Sequence, residues 1–111
     1  MRELQKGDVV VTMFPFADGR KAKIRPALVY AGPWKIGDFS IVWIMMITSS
    51  KRETWPHDVA IGNLDHAGLP GASLVRVLKI ACIDTRNIAR TVGMLDAKTL
   101  RAVRSHFEQI D

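Results

Sequence analysis

Arg20, Lys21, Lys23 and Arg25 put four cations into six residues with no acid among them. A cluster of that density raises the local positive potential and draws phosphate towards it. The same run also suits a solvated loop whose charges serve only solubility. His57, His66 and His106 carry the side chains that change charge near neutrality, but they are too scattered along the chain to read as a metal site. A paired-imidazole site needs His57 and His66 to converge, which spacing alone does not show, and His106 reads as a surface or packing residue. Cys82 is the single cysteine, so the chain can form no internal disulfide and no cysteine-based zinc site. Its apolar, strand-like surroundings suit a small core hydrophobe better than a nucleophile. The sequence contains no GxGxxG, P-loop, HExxH or GxSxG pattern, which excludes the best-marked nucleotide, metal-hydrolase and serine-hydrolase sites.

The elements that must position these groups follow from hydropathy and punctuation. The 111 residues suit a single domain spanning 1–111, large enough to bury about two-thirds of its surface without disulfides or metals. A hydrophobic share of 48% with 24% charged residues excludes a largely disordered chain. Ile41 to Ile47 is the longest apolar run and is far too short to span a bilayer. The start Met-Arg-Glu-Leu-Gln-Lys has no apolar signal-peptide core, so a reduced, cytoplasmic protein is expected. The net charge of +5 is uneven, with nine Lys/Arg against five Asp/Glu in residues 1–55 and seven against six in the remainder.

Val9 to Phe14 predicts a strand ended by Pro15, and Ala17 to Ile24 a loop of the kind that carries function. Pro26 to Tyr30 predicts a second strand closed by Gly32-Pro33. Asp38 to Thr48 predicts a third, apolar enough to be buried on both faces. Short strands are expected at 58–61, 73–83 and 88–94, with a turn-rich stretch at 62–72. Asp96 can N-cap a terminal helix whose Leu100, Val103, Phe107 and Ile110 share one face. Short strands followed by one helix predict a mainly β fold, a small barrel with a C-terminal α-helix.

An ordered set of motifs runs along nearly the whole chain. Gly7-Asp8-Val9-Val10, Phe14-Pro15-Phe16, Arg25-Pro26-Ala27-Leu28-Val29 and Ile47-Thr48-Ser49 come first. Trp55-Pro56, Ala67-Gly68-Leu69, Ser73-Leu74-Val75-Arg76, Lys79-Ile80, Ile83-Asp84 and Gly93-Met94-Leu95 follow. Together they resemble the PemK/MazF family, toxins of bacterial type II toxin–antitoxin systems. The resemblance implies an SH3-like small β-barrel of the PemK/MazF/CcdB type, usually a homodimer. It implies an endoribonuclease that needs neither metal nor cofactor and cuts single-stranded RNA by attack of the RNA's own 2′-hydroxyl. It implies Arg25 and Thr48 as the catalytic pair. Beside that pair, the dense positive charge marks Arg20, Lys21 and Lys23 as residues expected to hold RNA, with Ser49 and Trp55 as further candidates. It further implies a cognate antitoxin whose acidic segment orders on binding. Trp34 and Trp55 could each stack a base or simply cover an edge of the core. His57 is the neighbouring group suited to proton transfer, given a suitable placement.

Two other activities suit the same fold. A noncatalytic RNA-binding barrel would use the basic loop equally well, and a CcdB-like gyrase-inhibiting toxin would need neither Arg25 nor Thr48.

Overall fold

In the computed structural model, which describes residues 3–14 and 23–111, six strands form one antiparallel sheet. They are β1 (Asp8–Phe14), β2 (Lys23–Ile36), β3 (Phe39–Ser49), β4 (Asp58–Ala60), β5 (Ser73–Asp84) and β6 (Ile88–Met94). Their order across the sheet is β4-β5-β3-β2-β1-β6. A four-residue helix, α1 (Leu64–Ala67), precedes β5, a 3-10 turn (Thr85–Asn87) joins β5 to β6, and α2 (Ala97–Glu108) follows β6. Among the described residues no helix is long and apolar enough to cross a membrane.

Side chains on the central strands alternate between two apolar clusters, because successive residues of a strand face opposite sides. Val9, Leu28, Met45, Ile47 and Val75 enter the first, together with Val59 of β4, Ala67 of α1 and Val103 of α2. Val10, Ala27, Val29, Ile44, Met46 and Ile83 form the second on the opposite face. The first cluster draws on both edge regions of the sheet and both helices, so the sheet wraps around it. Ile44 to Thr48 are buried without interruption, which is why β3 reads as a continuous apolar run.

Breaks in register help produce the wrap. Between Met45↔Ile80 and Met46↔Arg76, β5 carries Val77, Leu78 and Lys79 without a matching insertion in β3. Between Ala31↔Trp43 and Trp34↔Ile41, β2 carries Gly32 and Pro33. Such bulges bend a strand and increase its twist. The second also changes the expected end of β2. Gly32-Pro33 does not close the strand, because Gly32 takes φ +93° and the pairing resumes as far as Ile36↔Phe39.

At the far edge, α1 lies directly on β6. A methyl group added at Gly93 would run into the Ala67 carbonyl, and one added at Gly68 into the Val92 carbonyl. Gly68, at φ +72°, also ends α1 in the left-handed conformation. The expected turn-rich stretch at 62–72 therefore contains a short helix, capped by Asn63 in front and Gly68 behind. The Tyr30 and Phe107 rings, 4.9 Å apart, pack β2 against α2. Leu100, Val103 and Phe107 face the first cluster as expected, but Ile110 lies beyond the last helical residue and is exposed.

The N-terminus of α2 is tied to the turn before α1. The Asp96 carboxylate accepts from the Thr99 N–H (3.0 Å), the Thr99 hydroxyl (2.7 Å) and the Asn63 N–H (3.3 Å). The Thr99 hydroxyl in turn accepts from the Gly62 N–H at 3.1 Å. Burial pushes the Asp96 carboxyl upward, but these hydrogen bonds outweigh it and hold the group below its usual range. A carboxyl lowered in the fold stabilises it above the unfolded value, near pH 3.9, and that contribution fades as pH falls through the folded value.

Asp96→Asn keeps a competent cap but cannot titrate. Its deficit in urea midpoint against wild type should therefore be largest at neutral pH and shrink below about pH 4, whereas a deficit independent of pH would contradict the assignment. Gly93→Ala should cost about 1–3 kcal/mol, since neither backbone segment can yield without moving the seam. Thermal unfolding at the wild-type midpoint would show that α1 does not pack this closely on β6.

Candidate functional site

The ends of three strands meet at one end of the sheet. Ala27 pairs with Met46, and two residues beyond that pair on their strands Arg25 and Thr48 line the same cleft. On the other side of β3, Thr48 pairs with Leu74 and Ser49 with Ser73. The result is a cleft of about 410 Å³ lined by Arg25, Pro26, Ile47, Thr48, Ser49, Arg52 and the stretch Leu69 to Ser73. Thr48 is 5% exposed and Arg25 half-buried, so both stand on the rigid sheet rather than on a loose loop. Ser49 is exposed, and its hydroxyl accepts from the Lys51 N–H at 3.2 Å while its carbonyl accepts from the Arg52 N–H at 3.2 Å. That turn carries Arg52 to the mouth of the cleft.

Behind the turn lies a buried ion pair. The Arg76 guanidinium donates to both oxygens of Asp58, from Nε at 3.2 Å and from a terminal nitrogen at 3.1 Å, with the two side chains 7% and 4% exposed. The same terminal nitrogen donates to the Glu53 carbonyl at 2.6 Å. Asp58 also accepts from the Trp55 N–H at 2.8 Å, and the Trp55 ring centre lies 4.3 Å from the guanidinium. The fork geometry of arginine is what lets one side chain bind a carboxylate and a carbonyl together.

Residues singled out from sequence divide accordingly. Arg25, Thr48 and Ser49 share the cleft. Trp55 does not line it: Arg76 packs on the ring, and Lys79 Nζ lies 5.8 Å from its centre. Trp34 is remote in the sheet, meeting Trp43 edge-on at 5.5 Å. Arg20 and Lys21 lie outside the described residues, and Lys23 enters as the first residue of β2, paired with Phe14. His57 adopts φ +65° and places Nδ1 3.1 Å from Nδ1 of His106, so its imidazole partner comes from α2 rather than from His66 on α1. Neither His57 nor His106 lines the cleft. Among the described residues no three His, Cys, Asp or Glu side chains gather as a metal site.

Cys82 is not a core residue. Alternation along β5 turns Ile83 inward and leaves Cys82 exposed, beside Trp43, Ile80 and Phe107 in an apolar hollow of about 360 Å³. Sequence reasoning missed Arg52 and the Leu69–Ser73 wall, because only the paired ends of β3 and β5 bring them to Arg25.

Residues 5–110 match the family model described as the PemK-like, MazF-like toxin of type II toxin–antitoxin systems. The chain belongs to this family. A comparison with curated protein sequences finds no match. Among solved structures, an endoribonuclease in complex with its cognate antitoxin from a mycobacterial species superposes with a TM-score of 0.72 at 18% identity, covering 95% of this chain and 91% of that one. The Mycobacterium tuberculosis toxin MazF-mt6 gives 0.69 at 19% identity, with 90% and 91% covered. MazF from Deinococcus radiodurans gives 0.69 at 21% identity, with 94% and 92% covered. The sheet and its C-terminal helix are thus the MazF fold.

Proposed function

We propose that this MazF-like toxin is an endoribonuclease that cuts single-stranded RNA in the Arg25–Thr48 cleft without a metal or cofactor. The observation that carries the reading is the convergence of Arg25, Thr48, Ser49 and Arg52 on one cleft. The RNA 2′-hydroxyl oxygen attacks the adjacent phosphorus and the bond to the 5′-oxygen breaks. The products are a 2′,3′-cyclic phosphate and a 5′-hydroxyl. Negative charge builds on the five-coordinate phosphorus between these states, and fixed donors aimed at it lower the barrier. Arg25 supplies a permanent cation with forked donors, and Thr48 a neutral hydroxyl held on the sheet. Arg25 serves as an electrostatic group rather than a base. His57, turned towards His106, stands apart from this chemistry.

Arg25→Ala and Thr48→Ala should each lower cleavage of a long RNA in EDTA by at least about tenfold, because one preorganised donor is commonly worth about 10²–10³. Thermal stability should change little. Wild-type rates in either folded variant would refute the pair. RNA retained but uncut by wild type would favour the noncatalytic RNA-binding barrel.

The same reading includes two protein partners. A cognate antitoxin with an acidic segment complements the +5 charge and competes with RNA for the basic surface. A second copy of the toxin completes a homodimer across the apolar hollow, where Trp43 and Ile80 are each 40% exposed and Trp34, 42% exposed, packs edge-on against Trp43. The Cys82 thiol sits in that hollow and reports on its cover. Alkylation of Cys82 should slow as protein concentration rises, in step with a monomer-to-dimer shift on sizing that Trp43→Lys abolishes. A concentration-independent monomer would exclude the dimer.

A further inference from the structure

We propose that Arg52 holds a second phosphate of the bound strand, beside the one at Arg25 and Thr48, and that Asp58 and Arg76 are positioning residues that keep it there. The inference rests on the reading of the cleft as an RNA site. Arg52 lines the cleft and is exposed. Among the described residues it makes no ion pair, whereas Arg76 and Arg86 are each committed to an aspartate. A cation so placed at the mouth of a cleft is suited to a backbone phosphate, which contributes affinity without reading sequence.

The backbone around Arg52 is fixed from both sides. On one side, Ser49 accepts from the N–H groups of Lys51 and Arg52, closing the turn. On the other, Arg76 reaches across from β5 and grips the carbonyl of Glu53, the residue directly after Arg52. Asp58 holds Arg76 in that posture through two bonds and fastens the Trp55 N–H with the oxygen that also meets the terminal guanidinium nitrogen. The Asp58 carboxylate already accepts three hydrogen bonds from Arg76 and Trp55. A flexible exposed arginine must surrender backbone and side-chain freedom on binding. The grip on Glu53 removes the backbone part of that cost before RNA arrives, which is preorganisation in the ordinary sense.

The test is a double-mutant cycle with a readout that does not need RNA. Arg52→Ala should weaken binding of a cleavage-blocked single-stranded RNA about tenfold at low salt, a loss equal to one good charge-assisted contact. It should also reduce the salt slope by about 0.7, the value for one phosphate contact on a single strand. Arg76→Lys keeps the charge beside Asp58 but loses the fork, so it should fold, raise KM, and expose the Lys51 and Arg52 peptide bonds to trypsin at a temperature where the core stays folded. In the Arg52→Ala background the same Arg76→Lys change should add less than about twofold to the binding loss, since residues that act through one another are not additive. Asp58→Asn, which keeps two polar atoms in place, should give a weaker version of both effects.

Wild-type binding and salt slope in Arg52→Ala would overturn the second phosphate site while leaving the proposed ribonuclease intact. Full additivity, or unchanged trypsin sensitivity in Arg76→Lys, would overturn the positioning role and make the ion pair a merely structural one. Failure of wild type itself to bind RNA would overturn the proposed function, and the phosphate site with it, and the trypsin measurement would still decide whether Arg76 fixes the turn.

Discussion

The pairing register of β2, β3 and β5 is the constraint on which the rest of the molecule depends. Ala27↔Met46 and Leu28↔Met45 on one side of β3, with Thr48↔Leu74 and Ser49↔Ser73 on the other, decide at once which side chains enter the two apolar clusters and which meet at the cleft. A slip of one residue would exchange the faces of every side chain on a strand. Here such a slip would drive Met45 and Ile47 out of the inner cluster and move Thr48 away from Arg25. Core and cleft are therefore specified by one set of hydrogen bonds, and burial of Ile44 to Thr48 protects both.

The bulges extend the same logic. Three extra residues on β5 and the Gly32-Pro33 insertion on β2 let a single sheet curve around Val9, Leu28, Val59 and Val103. The glycines at 68 and 93 then allow α1 to approach β6 backbone to backbone. The wrapped sheet leaves the ends of β2, β3 and β5 together, and a cation on such a frame loses little order when an anion arrives. The buried charges of Arg76 and Asp58 are satisfied internally. The cost of removing these two ions from water is offset by four hydrogen bonds that join them to each other, to Glu53 and to Trp55.

Much of this is legible in the residues, for reasons that differ by element. The apolar run of β3 and the helical period of Leu100, Val103 and Phe107 are signals long enough to read, and Asp96 marks its helix by cap chemistry. Gly32-Pro33 misleads because the pair usually ends a strand, and only tertiary pairing shows that it is a bulge. Four residues are too few for any period to announce α1, although Asn63 and Gly68 carry its cap signals. Local apolarity puts Cys82 and Ile110 in the core, but it does not tell the inner face of a strand from the outer, nor where a helix stops. Arg25 and Thr48 come from a family resemblance rather than from spacing. Residues 23 positions apart meet only if a register is known, and the same limit hides Arg52 and draws Trp55 towards a site from which Arg76 holds it apart.

At the centre of the account stands the proposal that the Arg25–Thr48 cleft breaks RNA through the strand's own 2′-hydroxyl. The most direct measurement uses an oligonucleotide with one mapped cleavage site, incubated in EDTA as all-RNA and with a single 2′-deoxy nucleotide immediately 5′ of the cut bond, followed by analysis of the product ends. The all-RNA strand is predicted to yield a 2′,3′-cyclic phosphate and a 5′-hydroxyl, and the 2′-deoxy strand to remain whole at that bond. A 5′-phosphate on the product, or equal cutting of the 2′-deoxy strand, would contradict it.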